Sequence, residues 1–553
     1  MSQQIARNPI LAGTHCQLTR AIGLAIPEKE CQDQGKTGTV EIPMPESRDS
    51  LAQHYHQRTK YDPETLSDRN LDWDNQPSPF KEYKLGVSFD LRPHLKPIDT
   101  AGTEREFWHR LSRLLFCTYG LTVSMLTLRG DPVYLRATPS AGGLYPAEVY
   151  LISRGTPFLP AGLYHYQPQS HALLHFWDSE VWTALQNACF WHPALEATQM
   201  AIVVTGIFYR SSWRYQDRAY RRVMLDTGHL LGNLELASTI NDFRPHLIGG
   251  FMDDAVNRLM YLDGKEEGTI AVLALADLQD IQQNLPLAPT VLASTTNRNY
   301  SKLEEGELLP ALHQASSIPE SDNPPTLKQL AVKRDDEIPR RDKYNFPFCL
   351  KVSTVSFPID WGKQLVDLET TILKRRSTRA YSGTNLTLDE LKALLDFTYQ
   401  PQNSIDQHLD ASPDYCDLSL IETFLAVSGV DGLEEGCYYY APKAQELRQI
   451  RFKNFRQELH YLCLGQNLGR DAAVVLFHTA DLEKAVMQYG DRAYRYLHLD
   501  AGHLGQRLNL AAIRLGLGVS GIGGYFDDRV NEVLGIPADE AVLYITTLGR
   551  AKG

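Results

Sequence analysis

The chain has 553 residues, more than one hydrophobic core usually serves, which predicts two or three domains. Hydrophobic residues make up 43% and charged residues 22%, a balance typical of globular proteins. The net charge of -12 argues against a nucleic-acid-binding surface.

Four segments follow one another along the chain. Residues 1–50 are polar and irregular and predict an N-terminal arm. Residues 51–277 and 349–553 have the apolar patterns of two globular modules. Residues 278–348 are rich in proline and in mixed charge, and they predict a linker with a short helix around "EEGELLPALHQA".

Both modules mix strand and helix patterns. In the first, "AEVYLIS" and "MAIVVTGIF" are apolar runs of strand length, whereas "RRVMLDTGHLLGNLELAS" has apolar residues near helical spacing. In the second, Thr387 followed by Glu390 predicts a capping box at the start of a helix. Strands combined with long helices predict an α+β fold.

The two modules repeat one another at a constant distance of 274 residues. Residues 215–238 return as 489–512, and residues 248–260 return as 522–534. A constant offset indicates one fold that is used twice. Two copies in one chain are expected to pair about a pseudo-two-fold axis, as an intramolecular pseudo-dimer. Whether whole chains are monomers or homodimers is left open.

One short stretch, "TPSAGGLYP", follows Arg136 and occurs only in the first module. Its glycines and prolines predict a tight backbone that lies close to a ligand. The candidate ligand-binding residues in this module are Arg136, Pro139, Ser140, Ala141, Gly142 and Gly143.

The second module has a different set of candidate ligand-binding residues. The arm "RRSTR" combines three guanidinium groups with a hydroxyl, which suits a phosphate dianion. The glycine-rich "GLGVSGIGG" lets the backbone approach a flat ligand and offer N–H donors. The candidates are Arg375, Arg376, Ser377, Arg379, Gly521, Ile522, Gly523, Gly524, Gly549 and Arg550.

These motifs together resemble the nitroreductase superfamily, whose members bind FMN at a dimer interface. "PSAGGLYP", "GLYHY-x-P" and "Y-x-DRAYR" resemble more narrowly its SagB-type dehydrogenases, which oxidise azolines to azoles in ribosomally made peptides. The resemblance implies that the arm, the glycine-rich segment and the final Gly-Arg contact the FMN phosphate and ring. It also implies a peptide or small heterocyclic substrate, partner modification enzymes, and oxygen as the final electron acceptor.

Each module lacks the candidate ligand-binding residues that the other module has. At the offset of 274, residues 140–143 become "DYCD" at 414–417, and "GR" at 549–550 becomes "LA" at 275–276. The counterpart of the arm in the first module is predicted to be "HQRTK", with Arg58. The resemblance places the arm (residues 375–379) and the PSAGG loop (residues 139–143) on different subunits. We therefore expect one FMN site per chain, built from both modules.

Azoline oxidation also removes a proton from carbon, so a base is needed. The resemblance implies a Lys-Tyr pair, and the chain has Arg214-Tyr215 in the first module and Gln488-Tyr489 in the second. Arg214 supplies positive charge beside Tyr215 but cannot be the base, because guanidinium does not deprotonate in proteins. Since the first module supplies the PSAGG loop, Tyr215 is favoured over Tyr489 as the catalytic residue.

Other polar residues stand at equivalent places in both modules, which favours structural roles. His229 and His503 are interpreted as forming structural hydrogen bonds, and Asp226 and Asp500 as helix-face or capping residues. The paired aspartates of "MDDAVN" and "FDDRVN" suit the N-termini of helices.

Secretion, membrane insertion and metal binding are not predicted. The first residues lack the apolar region of a secretory signal, and no apolar run reaches about 18 residues. The eight cysteines form no C-x-x-C pair, which argues against a zinc site and a disulfide framework. We therefore expect a cytoplasmic protein with reduced thiols and without a bound metal.

Two alternatives to the dehydrogenase stay open at this point. The same fold supports NAD(P)H-dependent reductases of nitro compounds or quinones. The absence of the lysine of the Lys-Tyr pair would also fit a degenerate partner that binds flavin or peptide for another enzyme.

Overall fold

The computed structural model describes residues 48–66, 70–96, 104–126, 130, 132–280, 290–321 and 342–552. The predicted N-terminal arm therefore lies outside the described residues, apart from residues 48–50. None of the described helices is long and apolar enough to cross a membrane.

The described residues form fifteen α-helices and eighteen strands, besides short 3₁₀-helices. The helices are α1 (Leu51–Arg58), α2 (Glu104–Tyr119), α3 (Trp182–Ala188), α4 (Pro193–Ala197), α5 (Phe208–Tyr215), α6 (Ala219–Ile240), α7 (Asp253–Leu259), α8 (Leu308–Ala315), α9 (Val366–Lys374), α10 (Leu388–Tyr399), α11 (Arg456–Leu462), α12 (Asn467–Asp471), α13 (Leu482–Tyr489), α14 (Ala493–Arg514) and α15 (Asp527–Leu534). The strands are β1 (Val87–Asp90), β2 (Leu121–Leu126), β3 (Pro132–Arg136), β4 (Ala147–Ser153), β5 (Gly162–Gln167), β6 (Ala172–Trp177), β7 (Met200–Ile207), β8 (Phe243–Ile248), β9 (Glu267–Asp277), β10 (Lys351–Ser353), β11 (Leu386–Thr387), β12 (Glu422–Val427), β13 (Val430–Asp431), β14 (Gly436–Ala441), β15 (Glu446–Arg451), β16 (Val474–Asp481), β17 (Gly518–Ile522) and β18 (Glu540–Gly549).

Each module is built on a seven-stranded sheet, and the two sheets have the same strand order. The first runs β1-β6-β5-β4-β7-β9-β8 and the second β10-β15-β14-β12-β16-β18-β17. Neighbouring strands are antiparallel throughout both sheets. The matching order confirms the predicted tandem α+β modules, and Thr387 and Glu390 form the predicted capping box at the start of α10.

The central helices α6 and α14 lie against each other at the centre of the molecule. Their first 20 residues are buried on all sides, so the polar side chains of these helices also lie in the interior. The helices cross where Gly228 meets Gly502. A Cβ on Gly228 would overlap the carbonyl oxygen of Leu499, and one on Gly502 would overlap that of Leu225. Glycine therefore allows the close crossing that makes the pseudo-dimer.

Two equivalent ion clusters join the modules. Asp527 of the second module accepts from Arg218 (2.9 Å) and Arg221 (2.8 Å) of the first. Asp253 of the first module makes the mirrored contacts with two arginines of the second, at 2.6 and 2.8 Å. Burial opposes ionisation of the Asp527 carboxyl, but the two guanidinium groups and their hydrogen bonds lower its pKa below the usual value. Both aspartates begin helices, as predicted, and the structure adds arginines from the opposite module.

A second pair of equivalent helices lies at the same interface. Helix α1 begins the first module, and the Ala52 N–H at its start donates to Asp491 of the second module at 2.8 Å. The predicted linker helix is present as α8, and its Leu309 N–H donates to Asp217 of the first module at 2.9 Å. Helix α1 of the first module is therefore capped by an aspartate of the second module, and α8, which precedes the second module, is capped by an aspartate of the first.

Candidate active site

The arm of residues 375–379 lies along the edge strand of the second sheet. Thr378 N–H donates to the Val519 carbonyl at 2.8 Å, and Val519 N–H donates to Thr378 Oγ1 at 2.9 Å. A few residues later, Ser382 N–H donates to the Arg550 carbonyl at 2.9 Å. The structure thus brings together the arm, strand β17 and the end of strand β18.

The arginines of the arm have different environments. Arg375 is buried, and its guanidinium reaches into the first module, where it donates to the carbonyls of Ala137 (2.6 Å) and Arg136 (3.1 Å). Burial lowers the pKa of Arg375 to about 10. Arg376 is half-buried and Arg379 is exposed. Arg375 therefore holds the two modules together, whereas Arg376 and Arg379 are nearer to solvent.

The other phosphate candidates lie around these two arginines. Ser377 is half-buried in the arm, and Arg550 forms an ion pair with Glu390 at 2.9 Å. Gly549 lies against Tyr381, where a Cβ would stand 2.9 Å from the tyrosine ring. The carbonyl of Arg550 thus lies beside the segment that follows the arm, whereas its guanidinium is paired with Glu390 at the start of α10.

The Arg136 side chain is not placed to contact a ligand. It is fully buried, and its guanidinium lies over the rings of Tyr119 (4.3 Å), Tyr145 (4.8 Å) and Phe80 (5.3 Å). Such a ring of π faces stabilises a desolvated cation. The predicted cofactor contact of this side chain is therefore corrected, and it is the main-chain carbonyl of Arg136 that takes part, as an acceptor for Arg375.

The PSAGG loop is anchored by Asp226 of the central helix α6. Ser140 Oγ donates to the Asp226 carboxylate at 2.5 Å, and Ala141 N–H donates to it at 3.1 Å. Burial raises the pKa of Asp226 to about 7, although these hydrogen bonds act in the opposite direction. Gly142 and Gly143 have φ values of 68° and 69°, which favour glycine, and both are exposed. Pro139, Ser140 and Ala141 are half-buried.

The glycine-rich segment is open to its surroundings. Gly521 is exposed, Gly523 and Gly524 are half-buried, and Ile522 is buried. A Cβ on Gly521 would overlap the hydroxyl of Tyr544, so a larger residue would displace that side chain. A Cβ on Gly524 would lie 3.0 Å from Leu464. The backbone there can lie close to a ligand only because these positions have no side chain.

Tyr215 lies where the loop and the glycine-rich segment meet. It is half-buried at the end of α5, and a Cβ on Gly142 would stand 2.8 Å from its hydroxyl. The guanidinium of Arg222 is 3.9 Å from the Tyr215 ring centre and also donates to the Gly523 carbonyl at 3.0 Å. The guanidinium of Arg214 is farther away, at 5.7 Å from the ring. Residues of both modules therefore surround one position.

The pseudo-symmetric second position is closed by the chain itself. Asp414 accepts from Leu247 N–H at 3.0 Å, and the Thr290 carbonyl accepts from Gly249 N–H (2.7 Å) and Gly250 N–H (3.1 Å). At the offset of 274, these three N–H groups correspond to those of residues 521, 523 and 524. All three residues are buried at the second position. At the second position, Asp414 and the linker residue Thr290 thus accept from the backbone N–H groups whose counterparts are open at the position beside Tyr215.

Tyr489 belongs to the closed position. It is fully buried, and its hydroxyl donates to Asp417 at 2.8 Å. In the same region Tyr415 stacks on His503, with ring centres 4.3 Å apart. Of the two candidate tyrosines, Tyr215 alone is partly exposed.

His229 lies in a hydrogen-bond network that connects the modules. Its Nδ1 is 2.9 Å from Gln506, and its Nε2 is 2.9 Å from the Tyr544 hydroxyl. Burial lowers the pKa of His229 to about 3, so the ring is neutral near pH 7. This placement agrees with the predicted structural role. In the described part of the chain, no group of three or more His, Cys, Asp or Glu side chains could hold a metal ion.

The predicted counterpart of the arm in "HQRTK" was wrong. Arg58 ends helix α1, and the next residue, Thr59, accepts from Arg221 at 2.8 Å. At the end of α8, Ser316 makes the equivalent contact with Arg495 at 3.0 Å. The end of α1 therefore corresponds to the end of α8 and not to the arm. The short stretch was misassigned because a basic residue beside a hydroxyl is a weak pattern.

Sequence analysis missed three residues of the site. Asp226 was assigned to a helix face, although it anchors the PSAGG loop. Arg222 and Tyr544 were not considered, yet at the offset of 274 they correspond to Tyr496 and Ile270. Differences between otherwise repeated stretches were the signal that could have identified these two residues.

Comparisons with known proteins agree with this geometry. The sequence profile of the Nitroreductase family matches residues 111–276 and 372–550, more than half of the chain. The crystal structure of an Anabaena variabilis protein described as a nitroreductase is 67% identical, with a TM-score of 0.86 over 91% of this chain and 100% of that one.

Two curated relatives match shorter parts. A Methanocaldococcus jannaschii protein named as a nitroreductase is 33% identical over 34% of this chain and 91% of that protein. The microcin B17-processing protein McbC of Escherichia coli is 29% identical over 26% of this chain and 55% of that protein. The chain thus spans just over half the length of McbC, whose similarity bears out the resemblance to the SagB-type branch. The chain belongs to the nitroreductase family and is an oxidoreductase.

Proposed function

We propose that the protein is an FMN-dependent dehydrogenase that oxidises azoline rings of a ribosomally made peptide to azoles. The observation that carries this proposal is the position between the modules that stays open among the described residues. There, Tyr215 lies against the PSAGG loop, and Arg222 connects the tyrosine ring to Gly523. The similarity to a microcin-processing protein supports the same substrate class. Enzymes that modify the same peptide are the expected partners.

The residues at the open position fit FMN. Arg376, Ser377, Arg379 and Arg550 would hold the phosphate, because several cationic donors suit a dianion. The glycine-rich backbone of residues 521–524 would lie along the ring. The Gly523 N–H has no acceptor among the described residues, whereas its counterpart at Gly249 is bonded to Thr290. When bound, FMN supplies the acceptor for a hydride.

The protein's own groups would handle the proton. Conversion of an azoline to an azole removes one hydride and one proton from adjacent ring atoms. The Tyr215 oxygen would accept the proton from carbon. The PSAGG loop would orient the substrate against Tyr215, because the hydrogen bond from Ser140 to Asp226 fixes the position of the loop.

A competing function is an NAD(P)H-dependent reductase. The M. jannaschii relative named as a nitroreductase, 91% of which is matched, favours it. Such an enzyme takes hydride from a nicotinamide and can take its proton from water, so it requires no protein base. The two functions therefore differ in what they demand of Tyr215.

We expect about one FMN per chain. The second position should bind no FMN, because Asp414 and Thr290 occupy its backbone donors. Flavin released by denaturation and measured against protein concentration checks this number. Two tightly bound FMN per chain would contradict the closed second position.

Arg376→Ala is expected to weaken FMN binding about 10- to 100-fold. A charge-assisted hydrogen bond contributes about 1.5–3 kcal/mol, and its loss converts to that range of affinity. Fluorescence titration of the flavin-free protein with FMN measures the change. The control is Arg58→Ala at the end of α1, where the guanidinium is exposed and donates to Leu303 at 3.4 Å. Loss of FMN from the Arg58 variant alone would place the phosphate elsewhere.

A further inference from the structure

Arg222 lies where the two modules meet beside Tyr215. Its side chain belongs to α6 of the first module and is only 5% exposed. Its guanidinium carbon is 3.9 Å from the Tyr215 ring centre, and Nη2 donates to the carbonyl of Gly523 at 3.0 Å. A single arginine thus contacts both the candidate base and the backbone of the other module.

Arg222 is the nearer of two positive charges. The guanidinium of Arg214 is 5.7 Å from the Tyr215 ring and 6.0 Å from that of Trp73, so it is shared between two side chains. Attraction between a cation and a ring is stronger at short range and away from water. A neighbouring positive charge also favours the anionic form of a phenol, which is the form that can accept a proton. The geometry therefore assigns to Arg222 the part that the motif assigns to Arg214.

The second position shows what Arg222 adds. At the offset of 274 its counterpart is Tyr496, whose hydroxyl donates to the carbonyls of Gly249 (3.1 Å) and Leu292 (2.8 Å). The carbonyl of Gly523 at the open position and that of Gly249 at the second position thus both accept a hydrogen bond. A guanidinium is also present at the second position, where Arg492 donates to the Gly249 carbonyl at 2.8 Å. At the open position, Arg222 Nη1 is buried without a partner among the described residues. Tyr496 lies edge-on to the ring of Tyr489, with ring centres 5.7 Å apart, so the feature that distinguishes Arg222 is a guanidinium placed over the tyrosine ring.

We propose that Arg222 is a positioning residue, which holds the ring of Tyr215 against the glycine-rich segment and supplies the positive charge that a tyrosine base requires. This inference rests on the proposed dehydrogenase function. It gives Arg222, which lies seven positions after Tyr215 on the next helix, the role that the lysine of the Lys-Tyr pair would have.

The test compares Arg222→Met and Arg222→Lys in the FMN-loaded protein. Anaerobic reduction of the flavin by an azoline peptide is followed by stopped flow. Loss of a desolvated cation–π contact is expected to slow reduction about 30-fold in the Met variant. The Lys variant should recover most of the rate, since it restores the charge. The matched control, Tyr496→Phe, should leave the rate unchanged, and the flavin content of every variant reports its folding.

A double-mutant cycle with Tyr215→Phe separates positioning from general support of the fold. If Arg222 acts through the phenol, Arg222→Met should have little further effect once the phenol is removed. Equal slowing in both backgrounds, or no recovery in the Lys variant, would overturn the role of Arg222 while the wild-type activity upheld the dehydrogenase. Absence of azoline-driven reduction in the wild type would refute the dehydrogenase and, with it, this role.

Discussion

Tyr215→Phe is expected to slow azoline-driven flavin reduction by about 10²–10⁴-fold, the usual effect of losing a general base. The change removes the phenol oxygen but keeps the ring that packs against Arg222 and the PSAGG loop. FMN content and folding should therefore be unchanged. Anaerobic stopped-flow measurement with an azoline peptide gives the rate.

The matched control for this prediction is Tyr489→Phe. This tyrosine occupies the same place in the second module, but it is buried and bonded to Asp417, away from the open position. Its loss should leave the rate of azoline oxidation nearly unchanged. A slow Tyr489 variant beside a normal Tyr215 variant would move the base to the second module.

The same pair of variants separates the two candidate functions. Reduction of the flavin by NADPH should be insensitive to Tyr215→Phe, because that reaction requires no protein base. If NADPH reduces the wild-type flavin rapidly and azoline peptides do not reduce it at all, the reductase is the function and the dehydrogenase proposal is wrong.

Asp527→Asn is expected to lower the free energy of unfolding by about 3–5 kcal/mol. Removing the charge leaves the buried guanidinium groups of Arg218 and Arg221 without their counter-ion, which costs more than the ion pairs themselves contribute. Because the cluster joins the modules, the variant should also open the site between them. Chemical denaturation followed by circular dichroism gives the stability, and flavin release reports the interface.

The adjacent Asp528→Asn is the control for this effect. Asp528 forms an ion pair with Lys60 at 2.6 Å, but its side chain is 66% exposed, and such pairs contribute about 1 kcal/mol or less. Asp253→Asn, at the equivalent interface position, should destabilise the protein about as much as Asp527→Asn. Equal stability of the Asp527 and Asp528 variants would show that the buried cluster does not hold the modules together.

The sequence by itself determined the double architecture. The repeat at 274 residues predicted two copies of one fold, and the two sheets have the same strand order. Helix and strand patterns depend on neighbours along the chain, so they can be read locally. The acidic replacement of the PSAGG loop was also visible in the sequence, and it pointed to a single open position.

Which side chains meet across the modules was decided only by the tertiary structure. Arg375 lies in the predicted arm, yet it bonds carbonyls of the first module, and the Arg136 guanidinium is buried among aromatic rings. Helices α1 and α8 are equivalent at an offset of 257, which a comparison at the offset of 274 does not detect. A motif indicates the kind of ligand that its residues suit, but not the direction in which each side chain points.

Arg222 illustrates the physical reason for this division. It is 301 residues away from Gly523 in sequence, and the two meet because α6 and α14 cross closely at Gly228 and Gly502. The crossing fixes which surfaces of the modules face each other, and it depends on packing over two whole helices. Local patterns therefore determined the elements and their repetition, whereas the contacts that build the site required the assembled pseudo-dimer.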